Sequence, residues 1–301
     1  MKITGLDVTP IERRGLLLQM RTDEGLVGLG SPMNYEHGRT VWRAVADMAD
    51  YLVGRDPRQV EDHWQALFRS SYSRQMPILL SALSGVEMAC LDILGKSLDA
   101  PVWRLLGGSC RDRIRVYAAA GGTIPEEFAA SARDAVGRGF TAVKLTPFPD
   151  PVRYIDTPAA IAAAVSRVAA VREAVGSEID VAVDFHRAVS PAMARLLLRE
   201  LEPLFPMFVE EPTHPENVDA LLEITRSTTI PIATGERNTT RWGFREICEK
   251  KAAAVLQPDI RHCGGILEMR RIAACAEVHY IAMAPHSAAD PVGVAASIQA
   301  A

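Results

Sequence analysis

Residues 181–188 read VAVDFHRA, an apolar run that ends by placing Asp184 and His186 two positions apart. In an extended strand alternate side chains share a face, so the carboxylate and the imidazole would point one way and Val183 and Phe185 the other. Two later runs also end in acids: MFVEEP carries Glu210 and Glu211, and PIATGER carries Glu236. The step from Asp184 to Glu210 is 26 residues, and from Glu210 to Glu236 it is 26 again, about one strand and one helix each time. Three carboxylates brought to one end of a sheet repel one another unless a positive charge lies between them. Oxygen-only ligands suit Mg²⁺, which keeps coordination sites for water or substrate. Alternation favours Glu210 over Glu211 as the middle ligand, because Glu210 shares the parity of Phe208, but it leaves both open. The competing reading is that individual acids cap helices or pair with Arg187 or Arg237.

Two histidines extend the pattern. His186 follows Asp184 on the same face. His286 ends the run IAMAPH, and Asp259 ends the preceding run VLQPDI. A carboxylate beside an imidazole fixes the ring's tautomer and raises its basicity. A cation held by three acids can bind a substrate carboxylate and stabilise the enediolate left when the neighbouring carbon loses a proton. One histidine can remove that proton and the other can protonate a departing hydroxyl. The sum is loss of water from a hydroxy acid. Metal-assisted hydrolysis would more typically add histidine ligands or a second metal. The remaining histidines, His37, His63, His214, His262 and His279, have no comparable setting, His262 beside Asp259 being the least dismissible; Lys144, Arg237 and Trp242 are candidates for substrate contact.

Such a site needs elements that bring strand ends together. From about residue 114, apolar runs at 115–120, 142–145, 180–185, 207–210, 231–234, 254–257 and 281–284 alternate with helical patterns, and Thr157-Pro158 reads as the N-cap and first turn of one of these helices. Strict alternation implies a parallel sheet, and seven such units predict an α/β fold of the (β/α) TIM type, whose chemistry lies at the C-terminal ends of the strands. The expected division is an α+β capping domain over residues 1–112 and a catalytic barrel domain over 113–301. In the first unit, residues 2–11 read as a strand and Leu16–Leu29 as a hairpin turning at Thr22–Gly25, so Gly25, Gly28 and Gly30 serve a hairpin rather than a phosphate loop. Helical patterns follow at 36–53, 57–70, 76–96 and 99–107. A closed barrel needs an eighth strand; the run ends at SIQAA, so the eighth strand and a C-terminal segment are expected to be missing from this chain.

Composition narrows the partners. With 33 basic and 37 acidic residues the formal charge is −4 and no basic run stands out, which disfavours nucleic acid and anionic membranes. No apolar stretch is read as long enough to span a bilayer, and the first twenty residues lack a signal-peptide layout. Five scattered cysteines without a CxxC pattern point to reduced thiols and a cytoplasmic location.

The motifs RTDEGLVGLG, GRDPRQVEDHW, SALSGVEMACLDILGK, APVWRLLGG, VDFHRAVS, FVEEP, ATGER, QPDIRHCGGI and APH resemble the enolase superfamily. Within it, the likeness is to the mandelate racemase-like subgroup and its acid-sugar dehydratases of the galactonate type. That resemblance implies a capping domain over a modified barrel, Mg²⁺ on Asp184, Glu210 and Glu236, His286 as base supported by Asp259, and His186 as acid. It further implies a small-molecule aldonic acid as partner, a 2-keto-3-deoxy acid as product, and a homo-oligomer. Racemases of the subgroup carry a second lysine where this chain has Thr146, which favours dehydration over racemisation, epimerisation or cycloisomerisation. The loop SAADPVG after APH departs from the more apolar loop of the sugar-acid dehydratases, which leaves the sugar open. A non-catalytic relative that keeps the fold is the alternative from another class.

Overall fold

The computed structural model describes residues 1–11, 15–33, 37–148, 157–186, 189–287 and 290–301. Part of the SAADPVG loop and Arg187 lie outside the described residues. The N-terminal unit opens with an antiparallel sheet, β1 (Ile3–Ile11), β2 (Gly15–Thr22) and β3 (Val27–Gly30), in the order β1-β2-β3. Leu16, Leu18 and Met20 alternate inward along β2, and the β2–β3 turn uses Gly25 at φ 82°, a conformation that suits glycine. Helices α1 (Gly38–Leu52), α2 (Val60–Ser70), α3 (Pro77–Ser97) and α4 (Val102–Leu105) follow.

Helix α3 is the core of this unit. By length and composition it could cross a membrane, a correction to the reading that no segment qualifies, yet most of it is buried inside the fold. Its close approach to β3 rests on missing side chains: a Cβ at Gly30 would meet the Gly85 carbonyl oxygen at 2.0 Å, and one at Gly28 the Ala89 oxygen at 2.1 Å. The hairpin glycines therefore serve strand–helix packing.

The second unit alternates throughout: β4 (Ala118–Ala119), α5 (Pro125–Gly137), β5 (Ala142–Leu145), α6 (Pro158–Val175), β6 (Asp180–Asp184), α7 (Pro191–Leu201), β7 (Phe208–Glu210), α8 (Val218–Arg226), β8 (Ile232–Thr234), α9 (Thr240–Lys250), β9 (Val255–Leu256), α10 (Ile266–Val278), β10 (Ala282–Met283) and α11 (Pro291–Ala300). The seven described strands form one parallel sheet in the order β10-β9-β8-β7-β6-β5-β4, so each apolar run of the sequence became a strand and the sheet curls with β4 and β10 as its edges. Val181, Ala182 and Val183 are fully buried, as expected of a strand covered on both faces. Helix starts carry side-chain caps where the sequence supplies them: Thr157 accepts from Ala160 N–H with Pro158 in the first turn, and Asp290 accepts from Val292 and Gly293 N–H.

The units are joined through α3. Glu87 accepts the backbone N–H groups of Ile266 and Leu267 at the start of α10 (2.9 and 2.8 Å), Ser84 accepts that of Gly264 (2.9 Å), and the Trp64 indole on α2 donates to the Gly264 carbonyl (2.8 Å).

Candidate active site

Strand pairing places the first two acids side by side. Asp184 and Glu210 are direct partners across β6 and β7, both at the C-terminal ends and both buried. Lys144, on β5, sends Nζ to Glu210 Oε2 at 2.7 Å and Asp184 Oδ2 at 3.2 Å. Burial disfavours its ammonium, but the two carboxylates outweigh that and raise its pKa, so it stays charged. Burial and then Asp184 push the Glu210 carboxyl upward, with Lys144 and Gln257 opposing. Gln257 Nε2 donates to Glu210 Oε2 at 2.8 Å, and the Tyr117 ring faces Lys144 with Nζ 5.3 Å from its centre. Neither Gln257 nor Tyr117 was singled out from sequence; Gln257 was legible as the last polar residue before Pro258 at a strand end.

The expectation for Asp184 and His186 holds in outcome and fails in mechanism. β6 ends at Asp184, and His186 adopts a left-handed backbone at φ 47°, so a turn rather than strand alternation brings it back. Its backbone N–H donates to Asp184 Oδ1 (2.8 Å), its Nε2 lies 3.2 Å from Asp184 Oδ2, and its Nδ1 lies 3.3 Å from Thr146 Oγ1. The apolar partner Phe185 is fully buried.

His286 and Asp259 form the second centre. Their backbones make a parallel bridge, and His286 Nδ1 lies 2.8 Å from Asp259 Oδ2. A carboxylate only accepts, so Nδ1 carries a proton, and in the neutral ring Nε2 presents the lone pair. Nε2 lies 3.3 Å from Glu236 Oε2. Burial alone would lower the His286 pKa, but the hydrogen bond to Asp259 and the charges of Asp259 and Glu236 raise it. Asp259, wholly buried, is held well below the usual carboxylate range because His286 and Arg261 outweigh its desolvation.

Several of the sequence candidates meet other partners in the fold. Asp184 and Glu210 end β6 and β7 and Glu236 follows β8, so the three acids lie at successive strand ends, although among the described residues their side chains do not close into a three-ligand cluster. The positive charge between Asp184 and Glu210 is the Lys144 ammonium, while Glu236 turns to His286. Arg237 was a candidate for substrate contact, but Nε and Nη2 of its guanidinium lie 3.1 and 2.9 Å from Glu211 Oε2, and Glu211 Oε1 accepts from Thr234 and Gly235. That pairing resolves the choice between neighbouring acids: Glu210 faces Lys144, and Glu211, at φ 47°, turns into a structural ion pair. Trp242 stacks on Phe68 (5.3 Å, 13°) beneath Arg241 and, among the described contacts, has none with the Lys144 group. His262 is a buried bridge: Nδ1 lies 3.0 Å from Ser81 Oγ on α3, its side chain also bonds the Arg237 backbone, and burial lowers its pKa.

The donor set fits a hard divalent cation. All three candidate ligands offer oxygen, and Glu210 Oε1 is buried without a hydrogen-bond partner, a costly state for a carboxylate oxygen that a cation would relieve.

Comparison with known proteins places this geometry. Residues 8–107 match the mandelate racemase / muconate lactonizing enzyme N-terminal domain, and residues 127–301 match the enolase C-terminal domain-like family. The chain therefore belongs to the enolase superfamily, in its mandelate racemase / muconate lactonizing enzyme branch. It is 42% identical over 298 residues to the D-galactonate dehydratase of Klebsiella pneumoniae (strain 342), covering 99% of this chain and 78% of that protein. The D-galactonate dehydratase of Ralstonia nicotianae gives the same identity and coverage. Among solved structures, a mandelate racemase/muconate lactonizing enzyme-like protein from Rubrobacter xylanophilus superposes with a TM-score of 0.94 at 37% identity, over 99% of this chain and 82% of that one. An enolase-superfamily member from Salmonella Typhimurium gives a TM-score of 0.95 at 28% identity, over 99% and 84%.

Proposed function

We infer that this chain is a lyase that dehydrates a sugar acid of the aldonic class, releasing water and a 2-keto-3-deoxy acid. The observation that carries the reading is the His286–Asp259 pair on neighbouring strand ends, with His186 beside Asp184 as a second imidazole. The D-galactonate dehydratases of similar sequence support the reaction class.

Asp259 keeps a proton on His286 Nδ1, so in the neutral ring Nε2 is the atom that takes the proton from the carbon next to the substrate carboxylate. His186, half exposed where Asp184 and Thr146 flank it, returns a proton to the hydroxyl on the following carbon as that C–O bond breaks. The resulting enol tautomerises to the ketone by taking a solvent proton at C3. Asp184, Glu210 and Glu236 would hold Mg²⁺. When bound, the ion would withdraw electron density from the substrate carboxylate and so acidify the neighbouring C–H. Racemisation would need a second base facing the β5 end, and Thr146 stands there.

A panel of aldonic and aldaric acids incubated with the protein and Mg²⁺, with 2-keto acid assayed as product, tests the reading. Turnover of at least one aldonic acid is expected; no 2-keto acid from any of them contradicts it.

A further inference from the structure

The Asp259–His286 pair is braced from behind by a residue that takes no direct part in the proposed proton transfers. Arg261 is 1% exposed. It grips Asp259 at three points: its backbone N–H and Nε donate to Oδ1 (2.9 and 3.1 Å), and Nη2 donates to Oδ2 (2.8 Å). Asp259 Oδ2 is the same oxygen that meets His286 Nδ1. On its far side, Arg261 Nη1 lies 3.8 Å from Asp290 Oδ2, and Asp290 Oδ2 accepts the Ser31 hydroxyl at 2.5 Å. Asp290 Oδ1 at the same time caps α11 through Val292 and Gly293. A chain of polar contacts thus runs from the end of β3 in the N-terminal unit, through Ser31, Asp290, Arg261 and Asp259, to His286.

A planar guanidinium that forks a carboxylate fixes the carboxylate plane, which a single ammonium cannot do. Fixing that plane aims Oδ2 at Nδ1 and thereby aims Nε2. One buried arginine lies between two carboxylates, and the second of these is further satisfied by a hydroxyl and two helix N–H groups.

We propose that Arg261 and Asp290 are positioning residues for the reaction, holding the Asp259–His286 pair in line and tying its alignment to the N-terminal unit through Ser31. The proposal rests on the dehydratase reading for its kinetic consequence, but its geometric part can be measured without turnover.

The test compares Arg261→Met, Arg261→Lys, Asp290→Asn and the double variant Arg261→Met/Asp290→Asn with the parent. Three readouts are taken: Tm, kcat and KM for the best sugar acid, and the hydrogen-bonded Nδ1 proton resonance of His286, assigned by its loss in His286→Asn. Arg261→Met is expected to lower Tm and to lower kcat roughly tenfold to a hundredfold with KM little changed. Arg261→Lys should regain Tm but not kcat, because it restores charge without the fork. The double variant should regain part of the lost Tm, since Asp290 no longer carries an unpaired buried charge, while kcat stays low and the Nδ1 resonance remains displaced. A double variant whose kcat recovers with its Tm, or an Arg261→Met protein that is folded and keeps the parental resonance, would overturn the proposal. If the parent turns over no sugar acid, the dehydratase reading fails by itself, and the resonance and the Tm coupling still decide the positioning claim.

Discussion

Lys144 decides the electrostatics at the level of single residues. It is the cation that lets Asp184 and Glu210 stand as neighbours in a buried strand pair, 3.2 and 2.7 Å from its ammonium. Removing one partner of a buried ionic group leaves uncompensated charge, typically costing about 3–5 kcal/mol. Lys144→Met should therefore lower Tm sharply in chelator-treated, Mg²⁺-free buffer, and adding Mg²⁺ should raise Tm more in the variant than in the parent. Thermal denaturation with and without the ion reads both effects, and equal Mg²⁺ responses would show that Asp184 and Glu210 do not hold it. Much of this was legible beforehand. Equal 26-residue spacing put Asp184 and Glu210 on adjacent strand ends, and the need for a positive charge between them followed from repulsion. The identity of that charge was not legible, because Lys144 lies 40 residues from Asp184 and only strand pairing brings them together. Nor was the turn at His186, where a period-two pattern gives no sign that the strand has already ended.

At the scale of elements, α3 governs how the two units meet. Its contact with β3 is closed to a side chain at Gly30, where a Cβ would sit 2.0 Å from a backbone carbonyl. Gly30→Ala must push strand from helix and is expected to destabilise by at least about 2 kcal/mol, measured by denaturant titration; a change within error would mean that the strand moves at no cost. The other face of α3 buries Glu87 against the first turn of α10. Burial raises its pKa from 4.5 to about 7, with the N–H groups of Leu267 and Ile266 opposing. Between pH 4.5 and 7 the folded protein therefore holds a proton that the unfolded chain has released. The stabilisation is complete below the lower value and is lost as pH rises through the upper one. The difference in stability between the parent and Glu87→Gln should fall over that window and be flat above it; a difference that grows with pH would reverse the assignment. Sequence periodicity found α3 and the hairpin, since an apolar 3.6-residue pattern and a glycine turn are local signals. It did not find their joint, because Glu87 and Ile266 are distant in sequence and a buried acid within an apolar helix has no periodic signature.

For the whole molecule, the parallel order of β4 to β10 is what brings five strand ends to one rim. Lys144, Asp184, Glu210, Glu236 and His286 all lie there, the first three at 2.7–3.2 Å and the last two at 3.3 Å. The alternation of strands and helices made this layout readable from sequence, whereas the division into a Lys144-centred group and a His286-centred group depends on side-chain packing across strands. On the proposed dehydratase reading the two histidines have separable tasks, one at the C–H and one at the C–O bond. The most direct test is proton NMR in D₂O with Mg²⁺ and D-galactonate, or whichever aldonic acid the panel identifies, comparing the parent, His186→Asn and His286→Asn. The parent should form a 2-keto-3-deoxy acid carrying deuterium at C3. His186→Asn should form little product yet still exchange the proton next to the carboxylate, and His286→Asn should do neither. Exchange at the parental rate in His286→Asn would contradict the assignment of that histidine as the base, and with it the central claim.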